Sequence, residues 1–541
     1  LGLLSGMKGD AKPIGVIEDT AVAPERLPAY LHEFNEMLHR LGLECVFYGH
    51  ISTGELHLRP ILNIKTEEGR KLFRKVASET ALLVKKHRGS LSGEHGDGRL
   101  RGEFIPLLYG NETFRLMCDV KLCWDPFDVF NMGKIVNTPP MDQSLRFDVN
   151  QPYGIERELP FDRTYFNWKA VFDECKVKHA SGVPTQIHAL MCSIEQCNGA
   201  GDCRKSNLMG GTLCPAYKVS HDETRTTRAR ANVLREILTR GWQSEFFVGT
   251  AKQRKSVFEI PELKKVLDSC LACKGCKNEC PSNVDMTRLR AELLQHLHDA
   301  KGMPFRSFMV ARMAVVERLG STVAPVYNFF ASRELSACII KRLLKFSALR
   351  NIPTLSRHTM RQLVKCENAK AGKRQTGRKV YLFADEFTNY QEAELGLTFA
   401  RLLLLLGYEV EIPRHVESGR AAISKGDLKY AKKCACKNVS LLKSVITEES
   451  PLVGIEPSCI LSFRDEYPDL VSPNERDEAQ TLAKNCLLYD EFILSEMHKG
   501  HISPDKFQSA GLEIWLHGHC HQKALVAVSY THLRAHETSA H

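Results

Sequence analysis

Residues 270–281 read CLACKGCKNECP. Cys270, Cys273, Cys276 and Cys280 stand within eleven residues, and Pro281 follows the last of them. In the spacing C-x2-C-x2-C-x3-C-P, the first three thiolates on one tight loop hold three irons of a cubane. The fourth cysteine points away and commonly ligates a second cluster. A zinc knuckle is the competing use of closely spaced thiols, but it does not require the trailing Cys-Pro.

A paired loop belongs nearby. Residues 197–217, CNGAGDCRKSNLMGGTLCPAY, supply one in altered form. Cys197 and Cys203 take the first and third places, Ala200 stands at the second, and an insertion precedes Cys214-Pro215. By the pseudo-symmetry of a two-cluster ferredoxin, Cys214 completes the cluster of Cys270, Cys273 and Cys276, and Cys280 joins Cys197 and Cys203. That second set lacks one thiolate unless Cys192 joins it. A three-iron cluster, a non-cysteine ligand and an empty site are all compatible with it. Residues 221–238, HDETRTTRARANVLREIL, read as a helix with acidic Asp222 and Glu223 at its start. Arg225, Arg228 and Arg230 behind them either raise the potential of an adjacent anionic cluster or form a solvated face.

The chain has 541 residues, which gives a prior of roughly three or four domains. Hydrophobic content of 43% and charged content of 26% are enough to bury ordinary cores. The net charge is +10, with lysine and arginine spread rather than blocked. No basic run carries interleaved aromatics, so nucleic acid is not an expected partner. Nothing at the front has the pattern of a secretion signal, and no apolar run is long enough to span a membrane. The expected location is cytoplasmic, with peripheral attachment at the inner face of the membrane as the variant. The apolar stretch 305–330 is interrupted by Arg306, Arg312, Glu317 and Arg318 and is expected to be a packed amphipathic helix. Nineteen cysteines without a secretion signal point to metal binding rather than disulfides. Seven of them fall in the two tight groups; Cys45, Cys338 and Cys366 are expected as buried small hydrophobes.

A second chemistry-bearing region lies upstream. Residues 45–62, CVFYGHISTGELHLRPIL, read as two strand pieces bent about Ser52-Thr53-Gly54. The bend brings His50 and His57 to one side, and Arg59 shares the face of His57 at a spacing of two. A helix over 67–88 precedes residues 89–104, GSLSGEHGDGRLRGEF. There Gly89, Gly93, Gly96 and Gly98 permit close backbone approach, and Glu94 and His95 sit at the tip. Two histidines and one carboxylate can hold a divalent ion with an open position, and a neighbouring unligated histidine can act as a base. On spacing alone, structural histidines explain the pattern equally well.

GHISTGELHLRP at 49–60, SGEHGDGRLRGEF at 92–104 and FNMGKIVNTP at 130–139 resemble the C-terminal substrate domain of FAD-linked oxidases of the vanillyl-alcohol-oxidase type. They are similar in particular to bacterial D-2-hydroxyacid dehydrogenases that fuse flavin and iron–sulfur modules, the D-2-hydroxyglutarate dehydrogenases among them. The resemblance covers about the first 140 residues. It implies His50, His57 and Glu94 as ligands of a zinc-like ion, His95 as catalytic base, and Arg59 as a contact for the substrate carboxylate. It further implies Glu94, His95, Gly96, Asn131 and Lys134 beside FAD. The family's G-D-G-N-L-H stands here as Ser52-Thr53-Gly54-Glu55-Leu56-His57, so the turn chemistry differs. The implied reaction oxidises a D-2-hydroxy acid (2-hydroxyglutarate, lactate or glycolate) to the 2-oxo acid. Hydride passes to FAD, and electrons continue through [4Fe-4S] clusters to a quinone or an electron carrier. A second substrate carboxylate would need another cation, for which Lys134 and Arg101 are candidates. No glycine-rich dinucleotide loop in βαβ context is present, and the flavin-gripping part is expected to be missing from the front.

After residue 378 the pattern changes. KVYLFADEFTNY at 379–390 reads as a strand and loop, and 392–413 as a helix closed by Gly407 followed by a second strand. SPLVGIEPSCILSFRDEYPDL at 450–470 and EIWLHGHCHQKAL at 513–525 read as further strand–loop units, with Cys459 and Cys520 on the loops. This part resembles the cysteine-rich CCG domain of the iron–sulfur subunits of glycolate oxidase, anaerobic glycerol-3-phosphate dehydrogenase and heterodisulfide reductase, although the Cys-Cys-Gly itself is absent. The pattern breaks off after Leu525. The tail at 528–541 fits no element and looks like translated adapter, so truncation at both ends is expected.

The expected fold is multidomain, α+β and α/β. Residues 1–140 form an incomplete substrate domain, an antiparallel sheet with helices, and 141–190 a linker. Residues 191–300 form a helical ferredoxin-type domain, 301–375 a helical connector, and 376–527 a Rossmann-like CCG half-domain. Two other functions fit the same sequence: an electron-transfer module without substrate chemistry of its own, and a scaffold whose thiols hold zinc.

Overall fold

The computed structural model describes Met7 and residues 10–145, 163–168, 185–239, 260–371, 377–508, 515–526 and 536–537. They fall in two compact units, the residues up to 145 in the first and those from 163 onward in the second.

The first unit is an antiparallel sheet backed by helices. Strands β1 (Lys12–Pro13) and β2 (Thr20–Ala21) precede helix α1 (Leu27–Leu41). Strands β3 (Cys45–His50) and β4 (Glu55–Leu62) and helix α2 (Glu67–Lys86) follow. Strand β4 is the hub, because β1, β2 and β3 all pair with it antiparallel. Its alternation sets the layers. Leu56, Leu58 and Leu62 turn into a core with Tyr30, Phe34 and Leu38 of α1 and Phe73, Val76 and Val84 of α2. Glu55, His57 and Arg59 therefore take the opposite face. The register places Tyr48 across from His57 and His50 across from Glu55, so all four share that face. The hairpin expected about Ser52-Thr53-Gly54 is present as a 3-10 turn closed by Gly54 at φ +73°. A Cβ there would lie 1.8 Å from the Val22 carbonyl oxygen, so only glycine fits. Helix α2 starts on a Thr66 cap, whose hydroxyl accepts from the Gly69 amide at 3.0 Å. Helix α3 (Asn111–Trp124) follows and buries none of its residues.

The second unit starts with α4 (Thr185–Glu195), α5 (Pro215–Ser220), α6 (Thr227–Thr239), α7 (Gly275–Glu279) and α8 (Met286–Lys301). Helix α8 is its spine and is buried continuously from Met286 to Leu297, charged residues included. Each charge has a partner. Glu292 accepts from the amides of Tyr165 (2.6 Å) and Phe166 (2.9 Å) and from the Trp168 indole (3.2 Å), pinning that segment onto the spine. Arg290 donates to the Leu267 and Ser424 carbonyls, and Arg288 pairs with Asp469.

Four short helices follow: α9 (Phe305–Ala311), α10 (Met313–Ser321), α11 (Ala324–Ser332) and α12 (Glu334–Leu344). Then comes a parallel sheet of β5 (Lys379–Phe383), β6 (Glu409–Glu411), β7 (Leu452–Gly454) and β8 (Cys486–Leu488), in the spatial order β6-β5-β7-β8. Its core joins Val380, Leu382, Val410 and Val453 with Phe399, Leu403 and Leu406 of the helix Ala393–Leu406, which Gly407 ends at φ 99°. The helix Pro457–Asp465 follows β7, and Cys520–Leu525 packs against α7.

Several expectations are corrected. Stretch 305–330 is not one packed amphipathic helix. It is three short helices that leave Phe305, Phe308, Leu319, Phe329 and Phe330 exposed. Cys338 and Cys366 are exposed and Cys45 half-buried, whereas Cys434, Cys459 and Cys486 are the buried thiols of this kind. Cys459 and Cys520 lie in the first turns of helices rather than on loops. The loop expected after β5 contains a short helix, Glu386–Tyr390, capped by Asp385. Strand Trp515–Leu516 pairs with His536–Glu537, so two residues of the tail belong to an element.

A buried ionic lattice ties the cysteine-rich loop to the C-terminal sheet. Lys274 is 1% exposed and pairs with Asp465 and with Glu466 at 2.6 Å; Lys277 also pairs with Asp465, and Arg420 with Glu466 at 2.6 Å. Burial pushes the Asp465 carboxyl up, but Lys274, Lys277 and Arg288 outweigh it and hold it well below the usual carboxylate range. Asp465→Asn removes one of the two carboxylates on Lys274 and the nearer one on Lys277, while Glu466 still pairs with Lys274. It is expected to cost roughly 1–3 kcal/mol, read as a lower urea midpoint for the second unit with the first unit's transition unmoved.

Candidate metal centre and cluster cleft

The polar face of β3 and β4 carries a cluster of donors. The ligand atoms of His50, Glu55, His57 and Glu94 all lie within 4.8 Å of one another. His57 Nε2 is 3.1 Å from Glu55 Oε1 and 3.5 Å from Glu94 Oε1; His50 Nε2 is 3.8 Å from Glu55 Oε2 and 3.9 Å from Glu94 Oε1. Donors at about 2.0–2.1 Å around one tetrahedral ion are separated by roughly 3.4 Å, and these distances bracket that value. The donors also carry unmet demand. Glu55 Oε1 and His57 Nδ1 are buried without a hydrogen-bond partner. Burial, with the Glu94 charge adding, pushes the Glu55 carboxyl above its usual range against the pull of His57. A divalent cation meets that demand in place of a proton. The residues present therefore fit a divalent ion.

Sequence reading names His50, His57 and Glu94; it omits Glu55. The signal was available, since Glu55 shares the period-two face of His57 and is paired across from His50.

A second omission is Asp19, which positions the loop. Fully buried at φ 85°, it accepts from the Ser92 hydroxyl (2.7 Å) and from the amides of Glu94 and His95 (2.8 Å each). Burial raises its carboxyl; these hydrogen bonds and the charge of His95 more than reverse that, and the net shift is downward. Gly93 makes the approach possible, because a Cβ there would meet Glu55 Cγ at 2.9 Å and Asp19 Oδ1 at 3.3 Å. His95 stands beside the donor cluster, its Nε2 3.0 Å from Glu94 Oε1 and its ring stacked on His57 at 5.1 Å.

Other predicted residues are placed differently. Arg59 pairs with Glu18, whose other oxygen lies 3.6 Å from His95 Nδ1. A substrate carboxylate at Arg59 would displace Glu18. Arg101 is buried and donates to the Glu18 and Gly96 carbonyls, with Asp19 at 3.8 Å. It braces the loop and is not an open cation. Lys134 and Asn131 are exposed and bonded to each other at 2.7 Å. Gly96 has φ +83° with open space around it.

In the second unit the cysteine loops converge. A small cleft is lined by Cys214, Cys270, Cys273 and Cys276 with Arg230, Lys274 and Met286. These are the four thiols assigned to one cluster from the spacing. Burial pushes the Cys276 thiol well up and Cys273 to about 11, with Cys270, Cys520 and Cys214 adding to the latter against the Gly275 amide. Thiols so disfavoured as anions in this cleft suit charge neutralisation by cluster iron. Arg230 settles one alternative. It is 2% exposed, donates to Cys214 Sγ at 3.5 Å and is anchored on Ser269, so it faces the cleft, not solvent. Arg225 and Arg228 instead pair with Asp222 and Glu223.

Cys197, Cys203 and Cys280 form a second group. Burial raises Cys280 against the Val284 and Ser282 amides, with the Cys197 and Asp202 charges adding. Burial likewise raises Cys203, against the Arg228 amide and with Cys214 and Cys197 adding. The Asp202 charge is therefore felt at Cys280. Cys192 contacts His188 Nε2, one helical turn back, at 3.4 Å.

Comparison with known proteins assigns the two regions. Residues 1–135 match FAD linked oxidases, C-terminal domain, and residues 196–285 match the 4Fe-4S dicluster domain. The first contains the whole His/Glu cluster and the second all seven grouped cysteines. The chain is 28% identical to the D-2-hydroxyglutarate dehydrogenase of Escherichia coli (strain K12) across 96% of its own length and 50% of that protein. Against the enzyme of the same name from Pseudomonas putida the identity is 26%, over 98% of this chain and 51% of that protein. A D-lactate dehydrogenase of Archaeoglobus fulgidus is 32% identical over 24% of this chain and 28% of its own. The chain spans about half the length of the first two relatives.

Two substitutions separate the sites. Asp19→Asn is expected to weaken divalent-metal binding roughly 10- to 100-fold, the range for removing a group that orients ligands, with iron content unchanged. Cys273→Ser is expected to do the reverse, removing one cluster's iron and visible absorbance while the divalent ion stays. Both are read by elemental analysis of the purified chain.

Proposed function

We propose that the protein oxidises a D-2-hydroxy acid to the 2-oxo acid and sends the electrons through iron–sulfur clusters to a quinone or an electron carrier. The observation that carries this is the placement of His95 and Arg59 on either side of Glu18, beside four converging metal donors. Glu18 marks where an acid's carboxylate would lie: against the Arg59 guanidinium and within reach of His95. The relatives' names favour 2-hydroxyglutarate over lactate as substrate. Lys134, exposed and bonded to Asn131, is then the cation offered to the second carboxylate.

His50, Glu55, His57 and Glu94 would hold a divalent ion, which would supply Lewis acidity toward the substrate hydroxyl. Bound FAD would supply a hydride acceptor for C2, and cubanes would supply one-electron transfer. The chain's own residues do the rest. Arg59 orients the acid, exchanging Glu18 for the substrate carboxylate. His95 takes the hydroxyl proton as the C2–H bond breaks. Asp19 fixes His95 and Glu94 through their amides, so the base does not drift from the donors. Arg230 beside Cys214 favours the more negative, reduced state of the first cluster. We assign the second cluster to Cys197, Cys203 and Cys280 with Asp202 as the non-cysteine ligand. The residues from 376 to 527 are read as a cysteine-rich domain that relays electrons onward, a reading supported by Cys520 acting electrostatically on Cys273.

The test is anaerobic reduction of FAD by D-2-hydroxyglutarate in the complete flavin-loaded protein. His95→Ala is expected to slow it by roughly 100- to 10,000-fold, the usual worth of a general base, with metal and iron contents intact. Reduction at an unchanged rate contradicts the proposal.

A further inference from the structure

Helices α9 to α12 bury only small side chains and one acid: Ala311, Glu317, Ala324, Ala331 and Ala337. Part of their large apolar set, Val315, Val316 and Ile340 included, is half-buried. The rest is exposed: Phe305, Phe329, Leu335 (84% exposed), Ile339 and Leu343 are examples. A helix in a globular protein buries its large side chains and leaves polar ones out. Exposed apolar surface of this extent marks a contact site.

Charge says which contact. Over residues 301–350 nine lysines and arginines face two acids, Glu317 and Glu334, so this tenth of the chain carries a surplus of seven of the total +10. Cations lie among the exposed rings: Arg333 sits over Phe329 at 4.5 Å. Arg306 is over the half-buried Phe346 at 5.6 Å, and Arg312, near Phe308, is paired with Asp427 at 2.8 Å. The other exposed apolar face, on α3 and the residues after it, is different. It exposes Trp124 and Phe127, yet residues 111–135 hold three cations against four acids. A near-neutral apolar face suits burial against protein. A basic one with aromatic and leucine side chains at the same level suits the headgroup boundary of an anionic bilayer. No helix among the described residues is long and apolar enough to cross a membrane, so the contact is with the surface.

We propose that α9 to α12 form a docking face for anionic phospholipid membranes, with the phenylalanines and leucines entering the headgroup boundary and the arginines and lysines pairing with lipid phosphates. The proposal is independent of the hydroxy-acid chemistry and stands or falls without it.

Flotation of the full chain with vesicles tests this. Binding is expected to vesicles of equal parts phosphatidylglycerol and phosphatidylcholine, to be absent with phosphatidylcholine alone, and to fall steeply at ~1 M salt, where the screening length is about 3 Å. Arg333→Glu is expected to lower the partition coefficient by at least about fivefold, the worth of one cation near an anionic surface. The double variant Phe329→Ser, Phe330→Ser is expected to lower it further. Unchanged iron absorbance shows that each variant is folded. Absence of binding by the folded wild type overturns the proposal. So does concentration-dependent self-association that Phe329→Ser abolishes, which would give the face to a second copy of the chain.

Discussion

The carboxylate of Asp19 is the point on which the first unit's chemistry turns. It is fully buried, and its two oxygens accept the amides of Glu94 and His95 and the hydroxyl of Ser92. A buried anion is tolerable only when hydrogen-bonded in this way. The bonds that stabilise it also fix the loop. Glu94 cannot leave the donors on β4 without exposing Asp19 to an unmet demand. The placement of Glu94 among the donors, the position of His95 and the brace from Arg101 follow from one satisfied carboxylate.

The second unit solves the same problem on a larger scale. Its cysteine loop brings Lys274 into the interior, and Asp465 and Glu466 from the helical region after β7 neutralise it. Arg288 and Arg420 extend the lattice to Asp469 and Glu466. A buried ion pair adds little stability compared with apolar packing, but breaking one is costly. The lattice therefore specifies register: it holds the thiol cleft against the end of the C-terminal parallel sheet, with the helix Cys520–Leu525 packed on α7.

What the sequence made legible follows the range of each interaction. The β3–β4 hairpin was readable because a period-two pattern meets a glycine turn, and both are local. Cys214 could be joined to Cys270, Cys273 and Cys276 across more than fifty residues because the spacing of a two-cluster fold encodes the pairing. Asp19 could not be found, since it acts 75 residues away on backbone amides, which have no side-chain signature. Strand β8 is three residues long and leaves no periodicity to read. Helix α8 is buried although it is charged, because its charges meet partners from distant segments that no local pattern encodes. Residues 305–344 expose what composition suggests they should bury, and no pattern of spacing says which side of a helix will be covered.

The central claim is that His50, Glu55, His57 and Glu94 hold one divalent ion through nitrogen and oxygen alone, apart from the cysteines. X-ray absorption at the edge of the bound zinc or manganese tests it most directly. The account predicts a shell of nitrogen and oxygen at about 2.0–2.2 Å. A sulfur shell near ~2.3 Å would place the ion among the thiols and contradict it.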